Sequence, residues 1–170
     1  FISGHFANFE LMAMELTKKN LKLATIYRPL NNFFINPIME YFRRTFVCKN
    51  QIKKGIRGVK ETVEYIKNNY CIALMIDQRV SEGKRLPFFE HSALTTTLPA
   101  QLALRYNLDI VPVHLARKKD NKFEMEVYEP IKIFNSEETE KKKLDITLQL
   151  NKILEQMIAK DPGQWIWTHN

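Results

Sequence analysis

Residues 55–78, GIRGVKETVEYIKNNYCIALMIDQ, decide the fold. Ile56, Val59, Val63 and Ile66 recur at the spacing of one helix face, so the first part is an amphipathic helix. CIALMI, at 71–76, is then apolar at every position, with no alternation. Its length is that of a strand. A strand apolar on both faces is covered on both, as in a parallel sheet inside helices. The run stops at Asp77-Gln78.

The same alternation extends in both directions. Upstream, residues 1–3 form the tail of a strand, and NFELMAMELTKKN follows as a helix. Asn8 is placed to cap it, Glu10 suits its positive end, and lysines close it. LKLATIY is a buried strand stopped by Arg28-Pro29. Asn31 and Asn32 favour a turn, and PIMEYFRRTF a helix with Pro37 in its first turn. Downstream, residues 79–93 are expected to be an irregular loop containing LPFFE. TTTLPAQLALRY gives a turn and a helix that the threonines can cap, and LDIVPVHLA another buried strand despite Pro112. KKDNK suggests a hairpin turn into FEMEVYEPIKI, an antiparallel strand. A long helix is expected over about 137–160, stopped by Asp161-Pro162-Gly163. Strand–helix repeats followed by a hairpin and a last helix predict an α/β fold. Its central sheet is mixed, mostly parallel, and flanked by helices.

The bulk numbers set bounds. A chain of 170 residues with 45% hydrophobic and 26% charged residues is a globular fold with a real core. No repeat, linker or composition break divides it, so a single domain over 1–170 is the economical reading. No run approaches the length of a bilayer span. The net charge of +7 suits an acidic partner: a nucleic acid, an anionic membrane, a phosphorylated substrate or an acidic protein. Many lysines lie in clusters such as EKKK and ARKKDNK, which look like solvated surface. Two distant cysteines, Cys48 and Cys71, make neither a zinc framework nor a disulfide scaffold, and read as reduced thiols. No metal is implied. The aromatics lie mostly in apolar strand and helix contexts, Phe88 and Phe89 of the expected loop excepted, with no stacking platform interleaved with basic residues, which argues against nucleic acid.

The polar residues that end the strands are the candidates for chemistry. The strands stop at Ser3-Gly4-His5, Tyr27-Arg28, Asp77-Gln78 and near His114 and Arg117. Ligands of parallel α/β sheets bind outside the carboxyl ends of the strands, so His5, Arg28 and Asp77 can meet at one edge. Strands must end somewhere, and that alone accounts for Arg117. His5 and Glu10 form a His-x4-Glu pair. Four histidines among 19 acidic residues produce that spacing about 0.4 times by chance, so the spacing alone is weak. On one helix the two would lie about 140° apart. With His5 in the turn before the helix and Glu10 in its first turn they can meet, and the carboxylate would then fix the tautomer of a histidine base.

GHFANFE, YRPLNN, FRR, MIDQ, LPFFE with ALTTTLPAQLALRY, IVPVHLAR and PGQWIWTHN occur in this order along nearly the whole chain. Together they resemble the lipid A biosynthesis acyltransferases, the late lauroyl and myristoyl transferases of Gram-negative bacteria, within the glycerolipid acyltransferase superfamily. The resemblance implies that fold and no cofactor. It makes His5 the catalytic base and Glu10 its partner, and places Arg43, Asp77 and Arg28 on the substrate side, with Arg44 the neighbouring ambiguity for Arg43. The implied donor is an acyl carrier protein thioester. The implied acceptor is a phosphorylated lipid A precursor in an anionic membrane, at the cytoplasmic face of the bacterial inner membrane.

Two positions depart from the family's usual glycine, Glu90 after PFF and Leu98 after TTT. The family also carries an N-terminal membrane segment ahead of the His motif and a basic tail after WxH. With Phe1 in first place, this chain is therefore expected to be a piece truncated at both ends. Two other readings compete: a different glycerolipid or glycolipid acyltransferase, and a basic lipid- or membrane-binding module without catalysis. YRPLNN and PGQWIWTH favour the lipid A branch over the first.

Overall fold

The structure is a computed structural model that describes residues 1–133 and 138–167. The fold is mixed α/β, with a parallel sheet and five α-helices among the described residues. The chain groups into two compact units, Phe1 with residues 9–74, and residues 2–8 with the chain from Met75 onward.

In the first unit, β2 (Leu23–Tyr27) lies between β3 (Asn50–Lys53) and β4 (Cys71–Met75), parallel to both. Leu23 and Ala24 are buried, as the continuous apolar run requires. The ammonium and carbonyl of Phe1 bond to Ile72 and Leu74 of β4. The helices α1 (Glu10–Lys18) and α3 (Ile56–Lys67) pack against β2. Asn8 does not cap α1: position Phe9 precedes the helix without a side-chain bond. The helix α2 (Ile35–Phe42) carries Pro37 in its first turn, and Asn32 Oδ1 accepts from the main-chain N–H of Phe34 and Ile35. A π-helical turn, Arg43–Val47, continues it.

Two expectations about this unit need correcting. The strand β3 was not foreseen, because Asn50, Gln51 and Lys53 mask it and only Gln51 and Ile52 are buried. The buried face of α3 is also different from its apolar stripe. Ile56 is 85% exposed and Val59 is exposed, while Gly58 and Thr62 are buried. A Cβ on Gly58 would stand 1.9 Å from the carbonyl oxygen of Lys53, so only glycine lets α3 sit this close to the end of β3.

In the second unit, β1 (Ile2–Ser3) bridges Pro112, and its Ser3 carbonyl accepts from Ile76. The stretch expected to be a loop is a hairpin, β5 (Lys84–Phe88) with β6 (His91–Thr95). Its two turn residues, Phe89 and Glu90, both have positive φ, 46° and 64°. Glycine or asparagine normally marks such a turn, and neither is present here. The Phe89 N–H is held instead by Glu155. The helix α4 (Leu98–Tyr106) follows as expected, with Thr96 Oγ accepting from the Leu98 N–H.

The next strand, β7 (Val113–Arg117), begins after Pro112 and pairs antiparallel with β8 (Phe123–Val127), as the hairpin reading anticipated. The helix α5 (Thr139–Lys160) buries Ile146, Leu150, Leu154, Met157 and Ile158 along one stripe. Its expected start at 137 lies outside the described residues. Asn151 ties α5 to the first hairpin through the Pro87 carbonyl and Thr95 Oγ. A 3-10 turn, Pro162–Gln164, follows the helix and leads to Trp165.

Candidate active site

The loop that carries His5 is set by a tight turn. Phe6 N–H bonds back to the Gly4 carbonyl, and Ala7 takes a left-handed φ of 44°. The Phe6 side chain is fully buried, edge-on to His114 at 4.8 Å. Main-chain bonds from Ala7 to Gln164 and from Ile166 to His5 clamp the loop from both sides. The expected cap, Asn8, instead accepts from the Arg117 guanidinium. A Cβ on Gly4 would meet Leu154 and Phe6 at 2.9 Å and Asp77 Oδ2 at 3.2 Å. Gly4 thus makes room for the Asp77 carboxylate.

Ser3 and Ile76 lie side by side through the Ser3 carbonyl and Ile76 N–H, at 3.0 Å. The residues that follow each of them therefore emerge level. Asp77 Oδ1 is 2.6 Å from His5 Nδ1, and Asp77 Oδ2 accepts from the His5 main-chain N–H at 2.6 Å. Trp165 Nε1–H donates to the same Oδ2 at 2.8 Å. The Asp77 side chain has no exposure and that of His5 has 12%. Burial pushes the Asp77 carboxyl up, but bonds and charge from His5 and the Trp165 donor outweigh it, and the group stays below its ordinary value. Asp77 is thus an ionised acceptor. It fixes His5 as the Nδ1–H tautomer and leaves Nε2 as the basic nitrogen. The Gln78 amide lies 3.2 Å from Nε2, where it donates to that lone pair.

Asp77 and Gln78 also line an open cavity of about 450 Å³ in the second unit. Phe88, Phe89, Trp165 and Trp167 supply aromatic wall, and Arg79 and Arg85 supply charge. Among the described residues, no group of three or more His, Cys, Asp and Glu side chains is placed to hold a metal ion.

In the first unit, Glu10 Oε1 accepts from Arg43 Nε at 2.8 Å and Nη2 at 2.6 Å. The guanidinium lies 5.5 Å from the centre of the Tyr27 ring. Arg43 opens the π-helical turn, which closes on the bond from Cys48 N–H to the Arg43 carbonyl. Of the two adjacent arginines, Arg43 is the one bound to Glu10, and Arg44 is exposed. Arg28 follows β2 and is exposed.

The structure therefore brings His5 together with Asp77, and Glu10 together with Arg43. Asp77 was read from the sequence as a substrate-side residue, yet it is on the histidine ring. Gln78 and Trp165 were not foreseen as site residues. Gln78 is adjacent to Asp77 in MIDQ, which is a usable signal. Trp165 meets the site through its antiparallel bridge with Phe6, which no local pattern encodes. His169 of the last motif lies outside the described residues.

Comparison with known families adds what geometry alone does not. The sequence pattern of the family described as Bacterial lipid A biosynthesis acyltransferase matches residues 1–170. The chain belongs to this family. A comparison with curated proteins finds no match. As a member of the lipid A acyltransferase family, the chain falls in the reaction class of acyl transfer, in lipid A and hence lipopolysaccharide biosynthesis.

Proposed function

We propose that this lipid A acyltransferase moves a fatty acyl chain from an acyl carrier protein thioester to a hydroxyl of a phosphorylated lipid A precursor, with His5 as general base. The observation that carries the reading is the buried, ionised Asp77 on His5 Nδ1. It makes Nε2 the nitrogen that accepts a proton. The acceptor hydroxyl takes the place of the Gln78 amide at Nε2. As its oxygen bonds to the thioester carbon, its proton passes to Nε2. The tetrahedral intermediate then collapses, the carbon–sulfur bond breaks, and the departing thiolate takes the proton back from the imidazolium.

Glu10, which the family resemblance pairs with His5, is given a second task here. Its carboxylate fixes the Arg43 guanidinium by two bonds, and the remaining N–H groups of Arg43 are donors for a phosphate oxygen of the glycolipid. Arg28, exposed after β2, is assigned a second phosphate contact. The reaction is placed at the cytoplasmic face of the inner membrane. The basic charge supports that placement, as does an exposed aromatic and aliphatic stripe of Phe34, Ile38, Phe42 and Phe46 along α2 and its π-helical turn. No helix among the described residues is long and apolar enough to cross a membrane.

The test is to incubate the full-length protein with acyl carrier protein thioester and precursor, and to look by mass spectrometry for one added acyl chain. His5→Ala is expected to lose about 100- to 10,000-fold in turnover. Wild-type turnover in His5→Ala removes the base assignment. Transfer to lysophosphatidate but not to the precursor moves the protein to another branch of glycerolipid acyltransferases.

A further inference from the structure

We infer that Trp165 is a positioning residue for this reaction, and that its indole N–H aims the Asp77 carboxylate at His5. The inference rests on His5 as the base. Asp77 Oδ2 has two donors, the His5 main-chain N–H at 2.6 Å and Trp165 Nε1–H at 2.8 Å. The first sits on the same loop as the ring that Asp77 must orient. The second comes from a segment at the far end of the chain, and it is the donor that ties the carboxylate to something besides the histidine. With both donors in place, the carboxylate cannot turn about its own axis, and Oδ1 stays on Nδ1. With the indole donor gone, the carboxylate is held by His5 alone and the ring loses its fixed reference.

The indole is itself anchored. Trp165 is 7% exposed, bridges Phe6 in antiparallel register, and packs edge-on to Trp167 at 4.6 Å and Phe88 at 6.1 Å. Those rings and the indole line the same cavity as Asp77. A molecule filling the cavity therefore packs on the ring whose N–H holds the carboxylate, so cavity filling and alignment of the base meet in one side chain.

Trp165→Phe separates the hydrogen bond from the bulk. It is expected to lower kcat by about 10- to 100-fold, the scale of loss when a reacting group is misplaced by a fraction of an ångström to about 1 Å. KM for the acyl donor should stay within about twofold and the melting curve should remain cooperative. The acid limb of the pH–rate profile, which reports protonation of the base, should move to higher pH, because a carboxylate with one donor fewer turns more of its negative charge on the His5 ring and favours the imidazolium form. A role in packing alone would not move that limb. Independently, the indole N–H cross-peak that vanishes in Trp165→Phe should be displaced in Asp77→Ala. A kcat within twofold of wild type in folded Trp165→Phe overturns the positioning role alone. So does an indole signal that Asp77→Ala leaves unmoved, which decides the matter even where Trp165→Phe does not fold. Wild-type protein that transfers no acyl group overturns the functional reading and the positioning role together.

Discussion

Asp77 shows at the residue scale how one side chain can be both chemistry and structure. It has no solvent contact, and its charge is supported by three N–H donors, two from His5 and one from Trp165. Its pKa in the folded chain lies below its ordinary value of 3.8. A carboxyl with a depressed folded pKa binds fewer protons when folded than when unfolded. Its stabilising contribution is therefore complete above the unfolded value and is lost as the pH falls through the folded one. Wild type is expected to lose stability from about pH 5 downward. In Asp77→Asn, whose side chain does not titrate, the loss over that window should be shallower. Urea denaturation across the window checks this. Parallel pH dependence in the two proteins would mean that Asp77 does not carry the effect. His5 and Asp77 were both visible in the sequence as polar strand ends that could meet at one edge, but the bond of the carboxylate to the ring was not. It follows from the bond between Ser3 and Ile76, a register that neither segment encodes by itself.

At the scale of elements, apolar runs were legible where hydrophobic burial forms the element, and illegible where packing does. The run at 71–76 was read correctly because Ile72, Ala73, Leu74 and Ile76 belong to the core, and the long helix expected to end at about 160 is α5. The hairpin β5–β6 was missed because Lys84, Arg85 and Pro87 interrupt its pattern and its turn lacks glycine. Glu90, where the family often has glycine, occupies a left-handed position of that turn, so the departure falls on backbone geometry rather than on chemistry. The helix α3 was found but turned the wrong way, since a glycine contributes nothing to a hydrophobic stripe. Its position depends on Gly58, and Gly58→Ala tests this. The added methyl has backbone against it at 1.9 Å, so α3 must move away from β3. A destabilisation of about 1–3 kcal/mol is expected, with no gain from the better helix propensity of alanine. A denaturation midpoint equal to or above that of wild type would show that the close approach does not matter.

For the whole molecule, the question is how a chain of net charge +7 would reach the membrane-borne acceptor proposed for it. Two forces of different range are available. The lysines and arginines attract an anionic surface over distances set by the Debye length, about 30 Å at 0.01 M salt and about 8 Å at 0.15 M. The rings exposed before and along α2 act only on contact. Phe33 and Phe34 are 83% and 84% exposed, and Phe46 is exposed as well. Binding to phosphatidylglycerol-containing vesicles should therefore have two components. Raising salt from about 0.01 M to about 0.15 M is expected to weaken it on the order of tenfold, through the long-range part alone. The remainder should resist salt and be lost in Phe33→Ser/Phe34→Ser, a pair outside the His5 and Arg43 clusters. Vesicle sedimentation measures both. Binding that salt abolishes entirely would leave the aromatic stripe without a membrane role. Salt-insensitive binding that the double substitution leaves intact would remove both forces from the account. The expected pattern, steep salt dependence over a salt-resistant floor set by two phenylalanines, places charge in the approach and aromatic rings in the contact.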